Sequence, residues 1–241
     1  MYLYLYAPYL KDKKYARDIA LFEGRVTDFG ISGKVAQLSQ FLKFPAAIKE
    51  FGMKRLTTLV VVGNDTLLEE SVNQFAGSNV VIGFVPMGES HYGSLLGIPS
   101  GPSAADILAA RRIAKYDLGK VENRFFLGML RCQGKGIEIH TPTFSIFPNG
   151  EAAVEVGNLS PEALPNDGFL EVRVRPIDGA MFRKKEMALS HLKVSSCRLK
   201  ALKPTLVNCG DIFTLKTPLQ VDISKEAIRM IVGRMMKRVK N

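Results

Sequence analysis

The sequence predicts an α/β half followed by a β-rich half, on three observations. Two continuous apolar runs, Leu56 to Val62 and Val80 to Val85, flank a segment of helical spacing from Leu67 to Phe75. From Phe125 onward the texture changes to short alternating segments separated by Gly, Pro and Asn. The chain has 241 residues, 46% of them hydrophobic, which is enough for one large domain or two small ones and excludes a disordered chain.

Taken in order, Tyr2 to Tyr6 reads as a strand, and a lysine-rich turn leads to a short helix over Tyr15 to Glu23. Gly33 marks a turn before a helix expected over Val35 to Leu42, and Ala46 to Phe51 reads as another. The run Leu56 to Val62 is β-branched and bounded by Gly63, as in a strand buried on both faces of a parallel sheet. Helix Leu67 to Phe75, a turn at Gly77 to Asn79 and strand Val80 to Val85 complete a βαβ unit. In the second half Gly136 to His140, Ala152 to Val156, Phe169 to Val174 and Met187 to Val194 read as strands. So do Asp211 to Leu215, Leu219 to Ile223 and Ile228 to Val232, the last with a helical alternative because of its basic extension. The boundary is expected near Asp117 to Asn123, giving domains 1–122 and 123–241.

The formal charge of +10 favours anionic partners without choosing among nucleotide, nucleic acid and acidic lipid. The charge concentrates at Arg183, Lys184 and Lys185 and in the tail at Arg229, Arg234, Lys237, Arg238 and Lys240. Solvated faces account for such clusters, as does docking on a membrane surface. No recognition motif or aromatic interleaving supports nucleic acid. The scattered cysteines Cys132, Cys197 and Cys209 suggest neither a disulfide framework nor a zinc site. No run of about eighteen apolar residues exists to span a bilayer, so the expected location is cytoplasmic, peripheral at the membrane.

In an open α/β sheet, ligands sit beyond the C-terminal strand ends, where turns and helix N-termini offer backbone N–H groups to phosphate. Two such ends stand out, Gly63-Asn64-Asp65-Thr66-Leu67 after one buried strand and Pro86-Met87-Gly88-Glu89-Ser90-His91-Tyr92-Gly93 after the next. Asp65 has the chemistry to hold a magnesium ion bridging phosphate oxygens. Asn64-Asp65 equally suits a plain turn and helix cap.

The segment Val60 to Asn73 resembles the diacylglycerol kinase signature, a hydrophobic strand and then G-G-D-G-T-L-N-E-V-V-N, with Gly63, Asp65, Leu68, Glu70, Val72 and Asn73 matching. Pro86, Gly88 and Leu96-Gly97-Ile98-Pro99 resemble the same family's P-L-G-T-G-N-D and L-G-I-P. Asp117-Leu118-Gly119, Val156-Gly157-Asn158, Asp167-Gly168-Phe169-Leu170-Glu171-Val172 and Cys209-Gly210-Asp211 echo later family segments in the right order. The resemblance implies a Rossmann-like parallel-sheet domain followed by a β-sandwich-like domain, and transfer of the ATP γ-phosphoryl group to a lipid hydroxyl.

The site residues this implies are Asp65 and Asp211 for catalysis, with Asp211 as the base at the acceptor hydroxyl, and Gly63, Asn64, Asp65, Thr66, Gly88, Glu89 and His91 around the nucleotide. Asp65 and Asp167 are the implied metal-facing carboxylates, ATP and Mg the cofactors. Implied partners are the nucleotide and a lipid substrate or anionic membrane surface, with a homodimer admitted and nucleic acid not expected. The chain departs from the pattern where Asn64 and Thr66 replace glycines, which leads to an expectation of strain at Thr66 if positive φ is needed there. Glu89 to Tyr92 replace T-G-N-D, and Asp211 is shorter by a methylene than the family's Glu. These departures favour an alternative reading as a non-catalytic module of the same fold. NAD kinase-like activity is a further alternative, because that related family shares the G-G-D-G-T turn.

Overall fold

The apolar runs of the first half form a parallel sheet in the computed structural model, which describes residues 1–51, 56–160, 165–177 and 190–234. Its strands are β1 (Tyr2–Tyr6), β2 (Lys34–Gln37), β3 (Thr58–Gly63) and β4 (Val81–Pro86), in the order β2-β1-β3-β4. All residues of β3 and β4 are buried, as expected for central strands covered on both faces. The helices are α1 (Ala16–Asp28), α2 (Phe44–Phe51), α3 (Asp65–Phe75), α4 (His91–Leu95) and α5 (Ala104–Ala110). Helix α3 buries Leu67, Leu68, Val72 and Phe75, the apolar face that its i, i+3, i+4 spacing predicts.

One expected element is different. Val35 to Leu42 is not a helix: Lys34–Gln37 pairs in parallel with β1, from Leu3↔Lys34 to Tyr6↔Gln37, and a loop follows. Ladder hydrogen bonds to β1 outweigh the weak helical spacing of Val35, Leu38 and Leu42, and β-branched Val35 suits an edge strand. In the loop, Ser39 Oγ accepts from the N–H groups of Phe41 and Leu42.

The second half is made of β5 (Ile113–Val121), β6 (Arg124–Phe126), β7 (Met129–Lys135), β8 (Ile137–His140), β9 (Ser145–Ile146), β10 (Glu151–Gly157), β11 (Leu170–Pro176), β12 (Ser190–Val194), β13 (Ser196–Ala201), β14 (Leu206–Cys209), β15 (Phe213–Lys216) and β16 (Leu219–Ile231). Six of them form an antiparallel sheet in the order β12-β11-β10-β7-β14-β15. A second layer runs β16-β13-β8-β9. Inward residues of both layers, among them Leu130, Val154, Val172 and Val207 against Ile139, Cys197, Leu199 and Val221, share one core. This is a β-sandwich built on period-two alternation.

Contacts divide the chain into unit 1, Met1–Lys115 with the segment from Ile228 onward, and unit 2, Tyr116–Ala227. The sequence division at 122/123 differs from this in two ways. The chain enters unit 2 within strand β5, and after Ala227 it returns to unit 1, where Arg229 and Met230 pair in parallel with Val81 and Ile82 of β4. The two strands read over Leu219 to Ile223 and Ile228 to Val232 are one strand, β16, with Glu226 at φ 48° within it.

Several motif echoes of the second half converge on one buried carboxylate in unit 2. Asp117 Oδ2 accepts from Gly168 N at 2.8 Å and Oδ1 from Glu226 N at 2.8 Å. Its main-chain carbonyl accepts from Asn158 Nδ2 at 2.6 Å, and its N–H donates to the Pro165 carbonyl at 2.6 Å. The segments around Asp117, Asn158 and Gly168 thus meet as a structural node buried within unit 2.

All three cysteines are free and buried. Arg183, Lys184, Lys185, Lys237, Arg238 and Lys240, and residues 187–189 of the expected strand at Met187 to Val194, lie outside the described residues. Among the described residues, no helix is long and apolar enough to cross a membrane.

Candidate functional site

Both turns singled out in the sequence lie in unit 1, at the C-terminal ends of neighbouring parallel strands β3 and β4, where Gly63 is the register partner of Pro86. Gly63 is required by close approach: a Cβ there would lie 2.7 Å from Ala7 Cβ at the end of β1. Asn64 caps α3, its Oδ1 accepting from Leu67 N at 3.1 Å. Asn64 is extended, with φ −109°, and Thr66 lies inside the helix, so neither residue needs the left-handed conformation. The strain expected at Thr66 is absent.

Asp65 ties the two turns together. Its half-buried carboxylate accepts from the Ser90 hydroxyl through Oδ1, and from His91 N at 2.8 Å and Tyr92 N at 3.3 Å through Oδ2. Ser90 Oγ also accepts from Gly93 N at 2.8 Å, capping α4. These are the donors a helix N-terminus leaves unpaired, and a carboxylate satisfies them best. Ser100 Oγ lies 2.8 Å from the Gly88 carbonyl and 3.1 Å from that of Pro86, and accepts from Gly88 N at 3.2 Å, fixing the second turn from behind. The Tyr9 hydroxyl donates to Met87 O at 3.3 Å. Burial, with Tyr15 and Asp65 nearby, pushes the Tyr9 phenol up to about 12.

Two cavities open on these strand ends. One, of about 690 Å³, is lined by Gly88, Glu89, Ser90, His91, Ser94 and Ser100, among others. The other, of about 280 Å³, is bordered by Tyr9, Ser39, Lys43, Asn64, Thr66 and Glu70, among others. Burial raises the Glu70 carboxyl above its ordinary range. Glu89 and His91 are exposed.

No protein-family model matches the chain, and no curated protein does. Among solved structures, the chain is similar to a diacylglycerol kinase from Bacillus anthracis str. Sterne, with TM-score 0.82 and 18% identity over 97% of both chains. The fold is that of the diacylglycerol kinases. A second structure from the same strain, described as a putative diacylglycerol kinase, matches with TM-score 0.81 and 16% identity over 96% of this chain and 97% of that one. At such identity the diacylglycerol kinase likeness is one of fold, and it covers both units.

In this diacylglycerol kinase fold, unit 1 gathers Gly63, Asn64, Asp65, Thr66, Gly88, Glu89 and His91 at adjoining strand ends, while Asp167 and Asp211 belong to unit 2. Asp211 is exposed in the turn between β14 and β15, and among the described residues its carboxylate has no partner. Asp167 leads into β11, with Oδ1 accepting from Phe169 N at 3.0 Å and Oδ2 from Lys193 Nζ at 2.6 Å. Among the described residues, no three His, Cys, Asp or Glu side chains gather into a metal-binding group. Asp65 Oδ1 accepts one hydroxyl and so keeps room for one further bond, which fits a magnesium ion otherwise held by phosphate and water. Sequence reasoning missed Ser90, Ser100 and Tyr9. Serine is a favoured N-cap residue, which is the only local signal for the first; nothing local marks the other two.

Proposed function

We propose that this chain is a nucleotide-dependent lipid kinase-like enzyme. Likeness to diacylglycerol kinase structures along nearly its whole length carries this reading. In this reading the nucleotide lies over the strand ends of unit 1. Backbone N–H groups of the turn after Gly88 face its phosphates, and Asp65 holds the magnesium ion. Magnesium, when bound, neutralises charge on the phosphoryl oxygens. Asp65 also fixes the N-terminus of α4, which orders the turn after Gly88 before substrate arrives. Asp211, exposed and unpartnered among the described residues, takes the proton of a lipid hydroxyl offered at an anionic membrane surface.

One observation favours a second reading as a non-catalytic nucleotide- or membrane-binding module: three donors already engage Asp65. The test is phosphoryl transfer from labelled ATP with magnesium to diacylglycerol, related lipids and NAD, alongside ATP binding by calorimetry, for the wild type and Asp65→Asn. The expected outcome is a labelled lipid that falls at least about 100-fold in the variant. ATP binding without transfer to any acceptor would select the module, and a labelled NAD product would replace the lipid with a dinucleotide.

A further inference from the structure

The turn at Asp167-Gly168 is the second place where the family resemblance implies a metal, and its surroundings do not fit one. Asp167 Oδ2 already accepts from Lys193 Nζ at 2.6 Å, and Oδ1 is closed onto the backbone by Phe169 N. A second ammonium stands on the same turn: a Cβ on Gly168 would lie 3.1 Å from Lys225 Nζ and 3.0 Å from its Cε. Gly168 has φ +78°, and its missing side chain leaves the room that Lys225 fills. The other carboxylate at the turn, Asp117, engages Gly168 N through Oδ2 and Glu226 N through Oδ1. A divalent cation here would meet the two ammonium groups of Lys193 and Lys225, which already supply the positive charge that the Asp167 carboxylate attracts.

We infer that Lys193 serves as a tethered cation at the Asp167 turn, so that unit 2 holds this turn without a divalent metal. The pairing of the strands puts Lys193 in reach: β12 sets it across from Glu171 on β11, the strand that Asp167 leads into, so its side chain returns along the sheet edge to the start of its partner strand. The Asp167 side chain is 21% exposed and that of Lys193 50%, so the pair is partly shielded from solvent. A magnesium requirement, where activity shows one, then belongs to unit 1.

The test is thermal unfolding of the full chain, which needs no activity and is therefore separate from the kinase reading. After exhaustive EDTA treatment, and again in millimolar magnesium at matched ionic strength, the wild type is expected to unfold at the same temperature. Lys193→Met and Asp167→Asn are each expected to lower that temperature by about 1–3 °C, and the double variant by no more than the larger single loss. A wild-type midpoint that falls in EDTA and recovers with magnesium would overturn the inference, as would losses that simply add in the double variant. The wild-type comparison decides the question even where a variant fails to fold.

Discussion

The two units use their acidic residues in opposite ways. In unit 1, Asp65 lies half-buried at the end of a strand and holds groups about 25 residues away that border an open cavity. In unit 2, Asp117 is 4% exposed and holds segments 51 and 109 residues away. Both residues sit in motif-like segments, and the sequence alone does not separate them. Burial does: a carboxylate whose oxygens all meet backbone N–H groups inside a core stabilises the fold, whereas one that joins two turns at strand ends can also meet a ligand.

This contrast is broken most readily at Asp117. Replacing it by Ala leaves the N–H groups of Gly168 and Glu226 without acceptors, and is expected to cost about 3 kcal/mol in urea unfolding. A cost below about 1 kcal/mol would mean that the node is not what holds unit 2 together. A smaller effect separates conformation from capping in unit 1. Asn64→Ala removes the α3 cap and is expected to cost about 1 kcal/mol, and Asn64→Gly only a few tenths. A stabilising glycine would show that the position prefers the left-handed conformation after all.

The smallest effect at neutral pH concerns the thiols of unit 2. Burial pushes Cys132 up to about 11 and Cys197 to about 12, the latter helped by Asp222 and Cys132. The folded state therefore keeps protons that the unfolded chain releases near the ordinary thiol value of 9.0. This contribution to stability is complete below that value and is lost as pH rises through about 11 and 12. Alkylation of the native protein at pH 8 is expected to be slow at both cysteines and fast once denaturant is added, as mass spectrometry can follow.

Much of unit 1 was legible because β3 and β4 are short continuous apolar runs, rich in β-branched residues and bounded by turn residues. Edge strand β2 was not, because its four residues owe their conformation to β1, some thirty positions earlier. In the same way, Gly63, Asn64 and Asp65 announce a strand-end turn, but the partners of Asp65 come from the next turn, and no local pattern specifies which donors a carboxylate will meet. The alternation of the second half predicted strands, and only the pairing register shows that Lys193 returns to Asp167. The change of unit at Ala227 was hidden for a related reason, since an apolar strand reads the same whichever neighbour it pairs with.

The return of β16 to β4 means that unit 1 is completed by a segment synthesised after unit 2. Gly233 N donates to Leu96 O at 3.0 Å, a Cβ on Gly233 would come within 1.7 Å of Gly97 O, and Ile228, Met230 and Ile231 are fully buried, so this late segment closes against unit 1 through both backbone and side chains. Every residue of unit 2 is synthesised before Ile228 emerges. The nascent chain can therefore complete its second unit while the first still presents the bare edge of β4, an interval in which another strand could take the place reserved for residues 228–231.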